Sequence, residues 1–252
     1  MGDIDQALAR AYARRSSIEP AAGTPPPPHF NLEAPAQPVG ASTSLALDWP
    51  QTVKALEREH GPRFDRLADA LILARDRRQL KVLLFTSCHR AEGRTTLVLT
   101  LARSLARRDG RTLLVDADLA GPMLARLLGL RPKLGFDDVV DDGASVTEAV
   151  IEAADDHLWV LPLRGPVARP RDFLAGPAWS TTFARLRRDF DLILVDGGPL
   201  FVGLSTPTLP RAIDAAILVR NRALTGPKVV RKARQVLESG GIPLLGLAET
   251  FV

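Results

Sequence analysis

One cysteine and one tyrosine are all that 252 residues hold of those types, and aromatic residues of every kind make up 5%. The lone Cys88 excludes an internal disulfide framework and fits a reducing compartment. Long hydrophobic runs are missing too: no apolar stretch approaches the ~20 residues a membrane-spanning helix needs. The opening "MGDIDQALARAYARRSS" lacks the apolar core of a secretory leader, and Gln6 stands where a myristoylation signal wants Ser or Thr. The expected location is therefore cytoplasmic. Neither sign of charge dominates, with 33 basic against 29 acidic residues, a net charge of +4 and a pI near 9.7. Such a mild excess favours acidic partners or an anionic membrane surface, and falls short of a nucleic-acid signature, so no nucleic acid is expected. Trp49, Trp159 and Trp179 are too dispersed for a base-stacking platform. Cys88 and His89 have no further Cys or His at ligand spacing, so no zinc site is expected.

What is present divides at about residue 50. Residues 3–17 have the pattern of a short basic amphipathic helix, and residues 19–50, with "EPAAGTPPPPHFNLEAPAQPVGAS", read as a flexible, partly polyproline linker. Residues 1–50 are thus a disordered N-terminal arm and 51–252 the folded domain. The domain opens on "TVKALEREHGPRFDRLADALILARDRR", which reads as two helical pieces broken at Gly61-Pro62, with Phe64, Leu67, Leu71 and Leu73 roughly on one side. Apolar runs then recur at "LKVLLF", "RTLLVDAD", "HLWVLPL", "DLILVDGGP", "DAAILVRN" and "IPLLGLA", separated by helical stretches. Strands apolar on both faces and spaced by helices predict an α/β fold, a parallel sheet with helices on both faces. In such sheets ligands bind beyond the carboxyl ends of the strands.

Three strand ends carry chemistry. "TSCHRAEGRTT" (86–96) sits between a strand and a helix, where a phosphate-binding loop would read G-x-x-x-x-G-K-[ST]. Cys88 stands at the first glycine, Gly93 is kept, Arg94 replaces the lysine and Thr95 is kept. Backbone N–H groups of a tight glycine-containing turn and the positive end of the following helix bind phosphate oxygens. "LLVDADLAGP" delivers Asp116 and Asp118, and "LILVDGGPL" ends a strand in Asp196. A strand-ending Asp at the latter position holds magnesium through water in P-loop enzymes. Each acid alone is more often a turn or helix cap; the ordered set of loop, Asp-x-Asp and strand-Asp is far rarer.

The combination resembles the bacterial tyrosine kinases (BY-kinases) of capsule and exopolysaccharide synthesis, relatives of the deviant-Walker partition and cell-division ATPases. Their first motif runs close to TSxxPGEGKST, and here Thr86, Ser87, Glu92, Gly93, Thr95 and Thr96 match. The second, apolar residues followed by DxDxR, matches through Asp118, and the third, an apolar run followed by DxxP, matches in "LILVDGGP". The similarity spans about residues 60–248. It implies a P-loop NTPase-like fold with ATP and Mg²⁺ as cofactors. Ala91, Glu92, Gly93, Arg94, Thr95, Thr96 and Arg222 would line the nucleotide; Thr95, Asp118 and Asp196 would organise magnesium. Asp116 and Arg94 would be catalytic, Asp116 by helping to deprotonate the attacking hydroxyl or water. It further implies a membrane polysaccharide co-polymerase (chain-length regulator) as partner, peripheral placement at the inner membrane through it, and a homo-oligomer.

Departures temper this picture. Arg94 keeps the charge of the lysine but not its slender shape. Arg90-Ala91 stand in place of Pro-Gly, and Ala91 resists a positive φ. Ala120 replaces the arginine of DxDxR, and Thr250 lies near where the family often places an adenine-contacting asparagine. The tyrosine-rich tail has no counterpart, the only tyrosine being Tyr12. Glu59, Arg63 and Arg66 are spaced one residue longer than the subunit-locking motif. The sequence reading is thus a tyrosine-kinase-like ATP-binding protein of polysaccharide biosynthesis and export, with weak or lost catalysis. A silent scaffold of the export machinery and a partition-type positioning ATPase stay open as alternatives.

Overall fold

The structure, a computed structural model, describes residues 46–201 and 209–250. The amphipathic segment at 3–17, Tyr12 and most of the proline-rich arm lie outside the described residues. Residues 46–50, expected in the arm, belong to the domain instead: Leu47 and Trp49 are buried. Asp156 fixes this segment by accepting hydrogen bonds from Leu47 N (2.8 Å) and Trp49 Nε1 (2.7 Å).

In chain order the elements are α1 (Gln51–Arg78), β1 (Val82–Ser87), α2 (Arg94–Ala106), β2 (Thr112–Ala117), α3 (Leu124–Leu127), α4 (Phe136–Asp141), α5 (Val146–Ala149), β3 (Ile151–Ala153), β4 (Leu158–Leu161), α6 (Pro170–Ala175), α7 (Pro177–Asp189), β5 (Leu192–Pro199), β6 (Ala215–Asn221), α8 (Pro227–Ser239) and β7 (Leu244–Thr250). The seven strands form one sheet in the order β3-β4-β2-β5-β1-β6-β7. All pairings are parallel except β3 with β4, so an antiparallel edge strand joins the expected parallel sheet. β3 spans three residues, too short for a sequence period to announce.

Alternation along the strands divides the core between the two faces. Leu83 and Phe85 of β1 join Val98, Leu101 and Leu105 of α2 and Val53, Ala68 and Leu71 of α1 on one face. Val82 and Leu84 join Trp179, Phe183 and Leu186 of α7 and Ala233 and Leu237 of α8 on the other. Trp179, Phe183 and Leu186 recur at helical spacing on one stripe, and each buried side chain of this size stabilises the fold by roughly 1.5–3 kcal/mol.

α1 runs unbroken through Gly61-Pro62 for 28 residues, correcting the expected break. Val53 before the proline and Ala68 and Leu71 after it are all buried in one core cluster, and this shared packing outweighs the hydrogen bond that Pro62 cannot donate. Leu73 is 48% exposed and leaves the apolar stripe, because it lies half a turn of the helix away from Phe64 and Leu71. Acids on α1 face arginines of α2 and its end: Glu57 meets Arg103 at 2.9 Å and Asp69 meets Arg108 at 2.7 Å. Glu59, Arg63 and Arg66 are exposed on one face of the continuous helix, with no ion pair among the described residues.

Candidate functional site

The sheet order sets β2, β5 and β1 side by side, so their carboxyl ends are neighbours. Register makes this exact to the residue: Asp116 of β2 lies opposite Asp196 of β5, which lies opposite Phe85 of β1. The three acids therefore meet at one point of the sheet's carboxyl edge, beside the loop at 88–93. Thr86 Oγ1 donates to the Gly198 carbonyl at 2.8 Å and ties two of the tips together. β5 approaches β1 closely there: a Cβ on Gly197 would stand 2.6 Å from Leu84 Cδ1 and 3.2 Å from the Phe85 carbonyl, so the glycine keeps the tips adjacent.

The loop has the shape of an anion cradle. Ala91 and Gly93 both take positive φ, +61° and +79°, and Gly93 caps the amino end of α2. A turn with residues at positive φ can present successive N–H groups to an anion, and the helix adds its positive end. Ala91 adopts the conformation it was expected to resist, at a cost of about 1–2 kcal/mol for an L-residue.

Glu92, expected to line the nucleotide, is instead buried and holds the loop from behind. Its Oε2 accepts from His89 N at 2.8 Å and its Oε1 accepts from Asn221 N at 3.2 Å and from the Thr225 hydroxyl. Thr250 Oγ1 donates to the Glu92 carbonyl at 2.7 Å, which spends that hydroxyl on the backbone. Glu92 thus joins the loop to the ends of β6 and β7. No spacing rule could have announced it, since its partner Thr225 is 133 residues distant. Arg222 stands on the exposed turn after β6, 3.8 Å from Glu249.

Arg94 lies where sequence reasoning did not put it. Its guanidinium, expected to face phosphate, turns inward and is 8% exposed. Nε donates to Asp196 Oδ1 and Nη2 to Asp118 Oδ2, each at 2.8 Å, while Nη1 donates to Ser87 Oγ at 3.2 Å. The physical reason is charge balance. Asp118 and Asp196 are buried carboxylates, each of which needs a counter-charge, and a planar fork spans two acceptors as an ammonium cannot. Burial works against the Arg94 cation, but Asp196 and Asp118 outweigh it and raise its pKa above the ordinary value. Burial pushes the Asp196 carboxyl up, opposed by the Arg94 charge and by hydrogen bonds from Arg94 and Thr95. Thr96 accepts from Thr100 Oγ1 through its carbonyl.

Asp116 is fully buried and turned towards the following loop. Its Oδ2 accepts from Met123 N (3.0 Å) and Leu124 N (2.9 Å), and its Oδ1 from Asp118 N (3.2 Å). Burial first, and then the nearby Asp196 charge, raise its pKa to about 7 despite those three hydrogen bonds. Arg90 reaches across to Asp118 at 3.3 Å from the half-exposed side. A cavity of about 560 Å³ adjoins this corner, with Thr86, Arg90, Asp118, Ala120, Arg169 and Pro199 in its wall.

The cradle fits a phosphate group. The residues expected to organise magnesium do not fit that ion in this arrangement, because Arg94 joins Asp118 to Asp196. Among the described residues, no group of three or more His, Cys, Asp or Glu is set to hold a metal.

A parallel sheet with this strand order, a glycine-capped loop entering α2 and acids on the adjoining tips define a P-loop NTPase fold. Comparison with known proteins narrows the class. No protein-family model matches the chain. The tyrosine-protein kinase CpsD of Streptococcus pneumoniae is 29% identical over 170 residues, 67% of this chain and 75% of the relative. The tyrosine-protein kinase YwqD of Bacillus subtilis is 28% identical over 170 residues, covering 67% and 71%. Among solved structures, the kinase domain of VpsO superposes with a TM-score of 0.68 at 26% identity, over 78% of this chain and all but 2% of that one. The cell-division ATPase MinD of Pyrococcus furiosus reaches a TM-score of 0.55 at 25% identity, covering 67% and 71%. By sequence and fold the chain is similar to the bacterial tyrosine kinases (BY-kinases).

Proposed function

We propose that this protein is a tyrosine-kinase-like, P-loop ATP-binding protein that regulates polysaccharide biosynthesis and export, with phosphoryl transfer weak or lost. One observation carries the reading: the loop keeps its anion cradle, while Arg94 bonds both carboxylates that would organise magnesium. Transfer of a phosphoryl group relies on metal ions bridging β- and γ-oxygens and neutralising developing charge. Asp116, the candidate for accepting the proton of the attacking hydroxyl, has both oxygens hydrogen-bonded by backbone N–H groups. The kinase names of the relatives and the family resemblance support the polysaccharide setting and a membrane co-polymerase as partner. No helix among the described residues is long and apolar enough to cross a membrane.

The test is Mg-ATP binding and turnover by the native chain beside Arg94→Lys and Asp116→Asn. Binding without turnover in the native chain, with turnover gained in Arg94→Lys, supports the proposal. Native turnover near the ~1–100 s⁻¹ of working kinases, abolished in Asp116→Asn, contradicts it and makes the chain an ordinary kinase. Absence of binding in every variant leaves the scaffold reading, which the inward-facing Arg94 and Glu92 would also suit.

A further inference from the structure

Arg94 is more than an obstacle at the magnesium position. We infer that its guanidinium is a resident cation doing the charge-balancing work of a divalent ion, so that this site takes a nucleoside polyphosphate independently of Mg²⁺. The inference rests on the nucleotide-binding reading above and concerns how that same site is charged.

Four observations converge on it. First, Arg94 is almost fully buried and satisfied by Asp118, Asp196 and Ser87, so it is built into the floor of the site and does not sweep across it. Second, both carboxylates already have a cation: Arg94 is shared by Asp118 and Asp196, and Arg90 also meets Asp118 at 3.3 Å. A bare pair of carboxylates attracts a divalent cation; a pair bridged by a guanidinium group is already compensated. Third, Mg²⁺ demands near-octahedral oxygen ligation through one or two carboxylates and several waters. Both carboxylates have oxygens committed to arginine. Fourth, the cradle itself does not depend on the acids. Its shape comes from Ala91 and Gly93 at positive φ, from the amino end of α2, and from Glu92 bonding His89 and Thr225 behind it. Phosphate contact and metal contact are therefore separable here, and only the phosphate part is intact.

The consequence is read as linkage. A ligand that enters with a metal gains affinity when the metal is added, whereas one whose counter-charge is supplied by the protein does not. ADP affinity is measured by titration calorimetry on the full chain, once in EDTA and once in excess Mg²⁺, for the native protein, Arg94→Lys and Arg94→Ala. The native chain is expected to bind ADP in both buffers with affinities within about fivefold of each other, the low end of a coupled effect. Arg94→Lys, whose ammonium cannot span both carboxylates, and Arg94→Ala are expected to gain a preference of about tenfold or more for the Mg²⁺ buffer. Native binding that strengthens about tenfold or more with Mg²⁺ overturns the inference and leaves the nucleotide-binding reading standing. Variants that remain indifferent to Mg²⁺ overturn it as well. Failure of the native chain to bind ADP in either buffer removes the nucleotide-binding reading itself, and the inference with it. Native-chain affinity in the two buffers decides the matter even where a variant does not fold.

Discussion

Removing the Arg94 side chain is the perturbation whose size follows most directly from the geometry. In Arg94→Ala, Asp118 and Asp196, with side chains 5% and 2% exposed, lose two 2.8 Å hydrogen bonds and the cation between them. Breaking a buried pair by deleting one partner costs about 3–5 kcal/mol, because the remaining charge is left without compensation. Protonation relieves part of this, since burial already pushes Asp196 up and holds Asp116 at about 7. The lower end, about 3 kcal/mol at pH 7.5, is expected, and for a domain of this size it lowers Tm by roughly 6–12 °C. The sign of the pH dependence is fixed as well. Without Arg94 the folded-state pKa of Asp196, already raised by burial, loses the charge that opposes the rise and moves further above its unfolded value. The folded variant then binds more protons than the unfolded chain, and its stability increases as pH falls. The deficit relative to the native protein should narrow between pH 7.5 and pH 5. Urea unfolding and calorimetry of both proteins in EDTA, at both pH values, measure it. A deficit below about 1 kcal/mol at pH 7.5, or one that does not change with pH, would refute the charge-balance reasoning.

Three further outcomes follow from other parts of the site. Ala91→Gly relieves an L-residue at φ +61° and should stabilise the protein by up to about 1 kcal/mol in urea unfolding, whereas a loss would show that the Ala91 side chain itself is needed. Thr225→Val removes the hydroxyl that Glu92 accepts from; a loss of about 1.5–3 kcal/mol and weaker ADP binding are expected, and an unchanged ADP affinity would separate that tie from the cradle. Burial, then the Glu92 charge, raise the Cys88 thiol to about 12 against a smaller pull from Arg220, so at pH 8 a disulfide reagent should modify the native chain only as fast as it unfolds; prompt labelling would contradict the buried placement.

Much of this architecture can be read from the sequence because it rests on short-range patterns. Apolar runs such as "LILVDGGP" mark strands buried on both faces, and all six predicted strands form. That Asp116, Asp118 and Asp196 sit at adjacent tips also follows from strand ends in a parallel sheet, and the register of β2 with β5 places two of them opposite each other. The misses share a different origin. Gly61-Pro62 is a local breaking signal, overridden by the distant packing of Val53, Ala68 and Leu71. Trp49 joins the domain through Asp156, 107 residues away, and composition alone assigns it to the arm. The direction of Arg94 is set by two buried carboxylates 24 and 102 residues away, a balance of burial and charge that no spacing encodes. Glu92 reads as a loop residue near phosphate, yet its carboxylate faces the loop's supports.

The central claim is that Arg94 holds the place of the divalent ion while the loop keeps its hold on phosphate. The most direct measurement is a crystal structure of the native chain grown with ADP and Mn²⁺, an ion that shares the oxygen preference of Mg²⁺ and scatters anomalously. The prediction is diphosphate in the loop at 91–96, Arg94 still bonded to Asp118 and Asp196, and no anomalous peak between those carboxylates. A manganese peak there, with Arg94 displaced towards the phosphates, would contradict it.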